Sequence, residues 1–166
     1  ILFHAAAGGV GVIFTQWAKA LGAKVIGTVG SDEKIAVAKA HGCAHTINYS
    51  KEDFVKRVEE ITGGKKCPVV YDSVGKDTFL KSLDCLAPLG VVALFGQSSG
   101  AVEPFNLGLL AAKGSLYVTR PTLFTWPMMP RRPAILSCSS VTGRPAKATL
   151  AVPSTTGTAR RPAPSP

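Results

Sequence analysis

The sequence predicts an α/β fold: a doubly wound parallel sheet of six strands with helices on both faces, followed by an irregular C-terminal tail. Three observations predict it. Along residues 1–120 the apolar spacing switches repeatedly between strand-like and helix-like periods. A glycine-rich turn separates the first strand-like run from the first helix-like run. Helical runs divide each strand-like run from the next, and right-handed crossovers of that kind give parallel neighbours.

The elements follow in order. Ile1 to His4 is a short apolar run that stops at glycines, the first strand. Val10 to Leu21 is a helix, with Val10, Ile13, Phe14, Trp17 and Leu21 at helical spacing and Gly22 as its end. Lys24 to Val29 is the second strand. Ser31 and Asp32 cap a helix that runs to about His41 and closes at Gly42. Thr46 to Asn48 is the third strand, and Lys51 to Ile61 a helix with Phe54, Val55, Val58 and Ile61 on one face, ended by Gly63 and Gly64. Val69 to Asp72 is the fourth strand. Asp77 to Leu86 forms a helix with Phe79, Leu80, Leu83 and Leu86 inward, and Val91 to Phe95 is the fifth strand. After the turn at Ser98, Ser99 and Gly100, a short helix near Leu107 to Ala112 leads to a sixth strand at Ser115 to Val118.

Bulk composition bounds the function classes. A chain of 166 residues with 46% apolar content can fill one core. It begins at Ile1 inside an apolar run, which reads as an excerpt or an incomplete gene product. No run of about 18 apolar residues is free of charges and breakers, so no membrane partner is expected. Ile1 to Val12 is glycine-rich and lacks the basic leader of a signal peptide. Cys43, Cys67, Cys85 and Cys138 show no paired spacing, and His4, His41 and His45 have no partners at metal-ligand spacing. The cysteines read as small buried hydrophobes in a reducing compartment, which places the protein in the cytoplasm with no metal.

The net charge of +9 is unevenly spread. Residues 1–120 hold 13 Lys and Arg against 10 Asp and Glu, whereas residues 121–166 hold six basic residues, no acid and nine of the 12 prolines. In that second part the basic residues are scattered, with Phe124 and Trp126 as its only aromatics. Such a segment offers neither a dense patch nor a stacking platform, so no nucleic-acid partner is expected.

The sharpest local signal is His4-Ala5-Ala6-Ala7-Gly8-Gly9-Val10-Gly11, between the first strand and the first helix. In a Rossmann-type sheet, with strand order 3-2-1-4-5-6, this turn holds the pyrophosphate of a dinucleotide. Gly8 and Gly9 remove side chains that would keep the backbone from a phosphate, and Gly11 lets the helix pack closely on the sheet. The helix N-terminus then presents N–H groups and its positive end to the anion. At the end of the second strand an NAD site carries an acid, but here Val29-Gly30-Ser31 has none on the strand end. Ser31 and Lys34 offer a hydroxyl and an ammonium to a 2′-phosphate, which favours NADPH. Asp32 and Glu33 are read as first-turn helix acids.

His4 to Gly11 and then Gln16-Trp17-Ala18-Lys19 resemble the cofactor domain of NADPH:quinone oxidoreductases related to zeta-crystallin, in the medium-chain dehydrogenase/reductase family. The resemblance continues through Gly27 to Ser31, Ile47-Asn48-Tyr49, Val70 to Gly75, Phe95 to Gly100 and Lys113 to Pro121. It implies an NADP-binding domain over residues 1–123, with the amino-terminal GroES-like catalytic domain absent from this chain. It further implies hydride transfer from NADPH to a quinone without zinc, in a homodimer. By position, Gly9 and Val10 match the pyrophosphate turn, and Gly30, Ser31, Lys34 and Tyr49 the 2′-phosphoribose pocket. Val74 matches the adenine and ribose side, and Phe95, Gly96 and Ser98 the nicotinamide side. No catalytic acid or base is named in this chain. A 2-alkenal or enoyl reductase of the same family, or an inactive truncated product, are the alternatives.

Residues 124–166 depart from that family. They show no sustained period, and their prolines fall where the family continues in a helix. One reading is a genuine divergent tail, disordered and open to proteolysis at its arginines. The other is a shifted reading frame: the fixed codons of Trp126, Met128 and Met129 then yield alanine and aspartate, the composition of a family helix.

Overall fold

The computed structural model describes residues 1–122. In chain order the elements are β1 (Leu2–Phe3), α1 (Gly9–Ala20), β2 (Ile26–Val29), α2 (Glu33–Ala40), β3 (His45–Asn48), α3 (Phe54–Thr62), β4 (Cys67–Asp72), α4 (Phe79–Asp84), β5 (Leu86–Leu94), α5 (Gly108–Ala112) and β6 (Tyr117–Thr119). The six strands lie in the order β3-β2-β1-β4-β5-β6, and every neighbouring pair is parallel, as the alternation of elements required. Because successive strand residues face opposite ways, the sheet feeds two cores. Leu2, Ile26, Ile47, Val70 and Val92 pack with Phe54 and Val58 of α3 and Phe79 and Leu83 of α4. Phe3, Val25 and Val29 pack on the other face with Ala18 of α1 and Ala38 of α2.

Some faces differ from the sequence reading. The buried side of α1 is Gly11, Thr15 and Ala18. Of the apolar residues at helical spacing, Phe14 packs against the core, but Val10, Ile13, Trp17 and Leu21 are between 62% and 71% exposed and lie off the core face. Close approach explains the reversal. A Cβ at Gly11 would stand 2.5 Å from the carbonyl oxygen of Ala6, so the first turn of α1 leaves no room for a side chain against the turn after β1, and farther along Phe14 stacks on Phe3 with ring centroids 4.5 Å apart.

In α4, Leu80 is exposed rather than inward, and Leu86 already belongs to β5. The residue before α2, Asp32, has helical backbone angles and no capping hydrogen bond, so neither it nor Ser31 acts as the expected side-chain cap. Asp53 does cap α3, accepting from the Val55 N–H at 3.0 Å, and Gly63 ends that helix in the left-handed region.

At the edge of the sheet β6 leaves Tyr117 and Val118 exposed. Among the described residues no helix is long and apolar enough to cross a membrane. The readings made for residues 124–166, and for Cys138, lie outside the described residues.

Candidate functional site

Parallel strands put all the connecting turns of one kind at one edge. The residues picked out by sequence gather there, on the turns that follow β1 to β5. After β1 the chain turns through Ala5, with its φ at 55°, and the Gly8 N–H donates to the Ala5 carbonyl at 2.9 Å. Helix α1 starts on Gly8, which has no side chain to cap it. The N–H groups of Gly9, Val10 and Gly11 therefore have no acceptor among the described residues. A Cβ at Gly9 would meet nothing within 4 Å, so this side of the turn is open space. Uncapped donors at the positive end of a helix suit an anion.

The turn after β2 is built against the end of β3. Tyr49, 39% exposed, sets its hydroxyl where a Cβ at Gly30 would come within 2.9 Å of it. Ser50 Oγ donates to the Gly30 carbonyl at 2.9 Å, closing the pair of turns. Ser31 is half-buried and Lys34 exposed one turn along, with no partner for its ammonium among the described residues. Asp32 has partners of its own. Its carboxylate accepts from Lys51 Nζ and from Asn48 Nδ2 (2.6 Å for the latter), and these bonds hold its pKa below the usual value.

The turns after β4 and β5 are locked together. Ser99 donates to the Val74 carbonyl from both its N–H (2.9 Å) and its hydroxyl (2.8 Å), and the Ser98 N–H reaches the Ser73 carbonyl at 3.1 Å. Gly96 and Gly75 are required by this contact: a Cβ at Gly96 would lie 2.6 Å from the Ser73 carbonyl oxygen, and one at Gly75 2.7 Å from that of Gly100. Val74 is buried with its N–H and carbonyl both used, so it has only apolar edge to offer a ligand. Phe95 is half-buried in an aromatic cluster, its ring 5.7 Å from that of Phe3. A shallow groove of about 190 Å3, lined by Phe3, Val10, Phe14, Tyr71, Phe95 and Pro121, runs between α1 and this part of the sheet. At the opposite edge of the sheet a second groove, of about 310 Å3, is bordered by Lys19, Lys24 and Lys39.

Sequence reasoning missed a buried polar network beneath these turns. His4 is fully buried, with Nδ1 2.9 Å from Thr28 Oγ1 and Nε2 2.9 Å from Ser82 Oγ. Asp72, also fully buried, accepts at Oδ1 from the N–H groups of Val74 (2.8 Å) and Gly75 (3.0 Å). Thr78 Oγ1 lies 2.8 Å from Asp72 Oδ2, and Ser82 Oγ 3.2 Å from it. Burial pushes the His4 pKa down to about 4, against the opposing pull of the Asp72 carboxylate, so the ring is neutral at pH 7. The network joins the β1, β2 and β4 turns from below.

Among the described residues no group of three or more His, Cys, Asp or Glu side chains is placed to hold a metal ion. Cys43, Cys67 and Cys85 are free, buried thiols, and burial pushes Cys43 up to about 11. They are packing groups, inert as thiolates.

Known proteins share this arrangement. The pattern of the zinc-binding dehydrogenase family matches residues 9–130. The quinone oxidoreductase of Pseudomonas aeruginosa is 61% identical over 132 residues, which are 80% of this chain and 41% of that protein. A 2-haloacrylate reductase from a Burkholderia species is 54% identical over 136 residues, 81% of this chain and 40% of its own. The crystal structure of Escherichia coli quinone oxidoreductase complexed with NADPH superimposes with a TM-score of 0.74 at 62% identity, covering 75% of this chain and 38% of that one. The chain thus spans about two fifths of the length of these proteins. With a family pattern along most of its length and a similar fold in a relative of 62% identity, this chain belongs to the zinc-binding dehydrogenase family.

Proposed function

We propose that this chain binds NADPH and serves as the cofactor-holding part of a quinone reductase. The observation that carries the proposal is the uncapped N-terminus of α1, with unpaired N–H groups on Gly9, Val10 and Gly11 beside open space. Gly8, Gly9, Val10 and Gly11 would receive the pyrophosphate. Gly30, Ser31, Lys34 and Tyr49 would surround the 2′-phosphoribose, with Lys34 supplying the charge. Val74 would flank the adenosine side, and Phe95, Gly96 and Ser98 the nicotinamide. The NADPH complex of the Escherichia coli relative supports NADPH as the cofactor. Bound NADPH supplies the hydride. The chain's own residues bind and orient it, and no acid or base among them is assigned a proton transfer.

The quinone, a homodimeric assembly and a cytoplasmic setting belong to the same proposal. A second acceptor class has support in the Burkholderia 2-haloacrylate reductase. Quinones and haloacrylates are both conjugated carbonyl acceptors. Lys34→Ala tests the cofactor assignment: NADPH affinity should fall about tenfold, the loss of one charge-assisted contact, while NADH affinity stays within about twofold. Equal losses for the two cofactors in titrations would remove Lys34 from the 2′-phosphate site.

A further inference from the structure

An acid just after the second strand is a problem for an NADPH site. It would repel a 2′-phosphate and favour a ribose 2′-hydroxyl. Asp32 stands two residues beyond Gly30, in that region, yet its carboxylate is held by Asn48 at the end of β3 and by Lys51 in the β3–α3 connection. Asn48 is the fixed point of that hold. It is only 2% exposed, pairs in register with Val29, and its Oδ1 accepts the Ser50 N–H at 3.1 Å, which leaves its Nδ2 to donate to Asp32. Lys51 then supplies the opposite charge. The Asp32–Lys51 pair alone would be weak, since its side chains are 56% and 67% exposed, but the buried amide holds one oxygen in place. Glu52, the next acid along the same connection, is likewise paired, 3.0 Å from Arg57 Nε.

We infer that Asn48 and Lys51 are specificity-determining residues: they tie up the Asp32 carboxylate in hydrogen bonds and offset its charge, so that the site accepts NADPH. The inference rests on the NADPH reading above. It explains how a strand end bordered by acids can serve a cofactor that carries an extra phosphate. Removing Lys51 leaves the Asp32 charge uncompensated beside the phosphate, whereas NADH, lacking that phosphate, is little affected.

The test uses the 166-residue chain and compares NADPH with NADH affinity by titration. Lys51→Met should lower the preference for NADPH about five- to tenfold. Adding Asp32→Asn to Lys51→Met should restore it. Adding Glu33→Gln instead, which restores the same net charge, should not. An unchanged preference in Lys51→Met overturns the inference, and so does equal rescue by Asp32→Asn and Glu33→Gln, which would make the effect one of overall charge. If the unaltered chain shows no preference for NADPH, the cofactor reading itself fails. The sequestering of Asp32 is then still read from the NMR titration of its carboxyl group. A pKa that rises on Lys51→Met upholds it, and one that stays put overturns it.

Discussion

Asp72→Ala should destabilise the domain by about 3–5 kcal/mol, the cost of opening a buried charged hydrogen-bond network on one side. The carboxylate accepts from two backbone N–H groups and from Thr78, with Ser82 beside it, and all of these residues are buried. Truncation would leave the Val74 and Gly75 donors without an acceptor at the bend that leads into α4. Asp72→Asn keeps one acceptor oxygen and should cost less, about 1–2 kcal/mol. Denaturant unfolding of the three proteins checks the order.

The same network sets an acid limit. His4 binds a proton only near pH 4 in the folded chain, whereas an unfolded chain takes one up near its ordinary 6.5. The unfolded state therefore binds more protons between these values. Stability should be complete above about pH 6.5, fall as the pH drops toward 4, and level off below, by at most about 3 kcal/mol from this group. His4→Gln should lose that component of the slope.

Gly11→Val should be comparably damaging, for a different reason. A Cβ there meets the carbonyl oxygens of Ala6 and Ala5 at 2.5 and 2.6 Å, and backbone atoms cannot swing aside. The first turn of the helix would have to lift from the turn after β1, at a cost of about 3 kcal/mol, and its N-terminus would move with it. NADPH binding should fall more than tenfold. Gly9→Ala is the informative companion, because a Cβ at Gly9 meets nothing within 4 Å. That variant should melt close to the parent temperature, yet bind NADPH more weakly if a phosphate occupies the open side of the turn. A Gly9→Ala chain that binds normally would mean the space there is not the ligand's.

These residues also show what sequence patterns carry. The parallel sheet and the helix positions were legible because they follow from element alternation and from glycines at turn positions, which are local signals, whereas the strand order came only with the dinucleotide-binding class that the glycine turn suggested. The face of α1 was not. Its large apolar residues have helical spacing, but the buried side is Gly11, Thr15 and Ala18 with Phe14 beside them, the first set by close approach to backbone atoms of the turn, and Trp17 stays outside. His4 and Ser82 are 78 residues apart, so no window of sequence could join them. Asp32 looked like a helix acid, and only the fold brings Asn48 and Lys51 to it.

The central claim is that the turn after β1 and the turn after β2 together hold NADPH. Titration of the isotope-labelled 166-residue chain with NADPH, followed by amide NMR shifts, tests it most directly. Saturable shifts largest at Gly9, Val10, Gly11, Gly30 and Ser31, with NADPH binding more tightly than NADH, are the expected result. No saturable shift, or shifts centred on the groove bordered by Lys19, Lys24 and Lys39 at the other edge of the sheet, would contradict it.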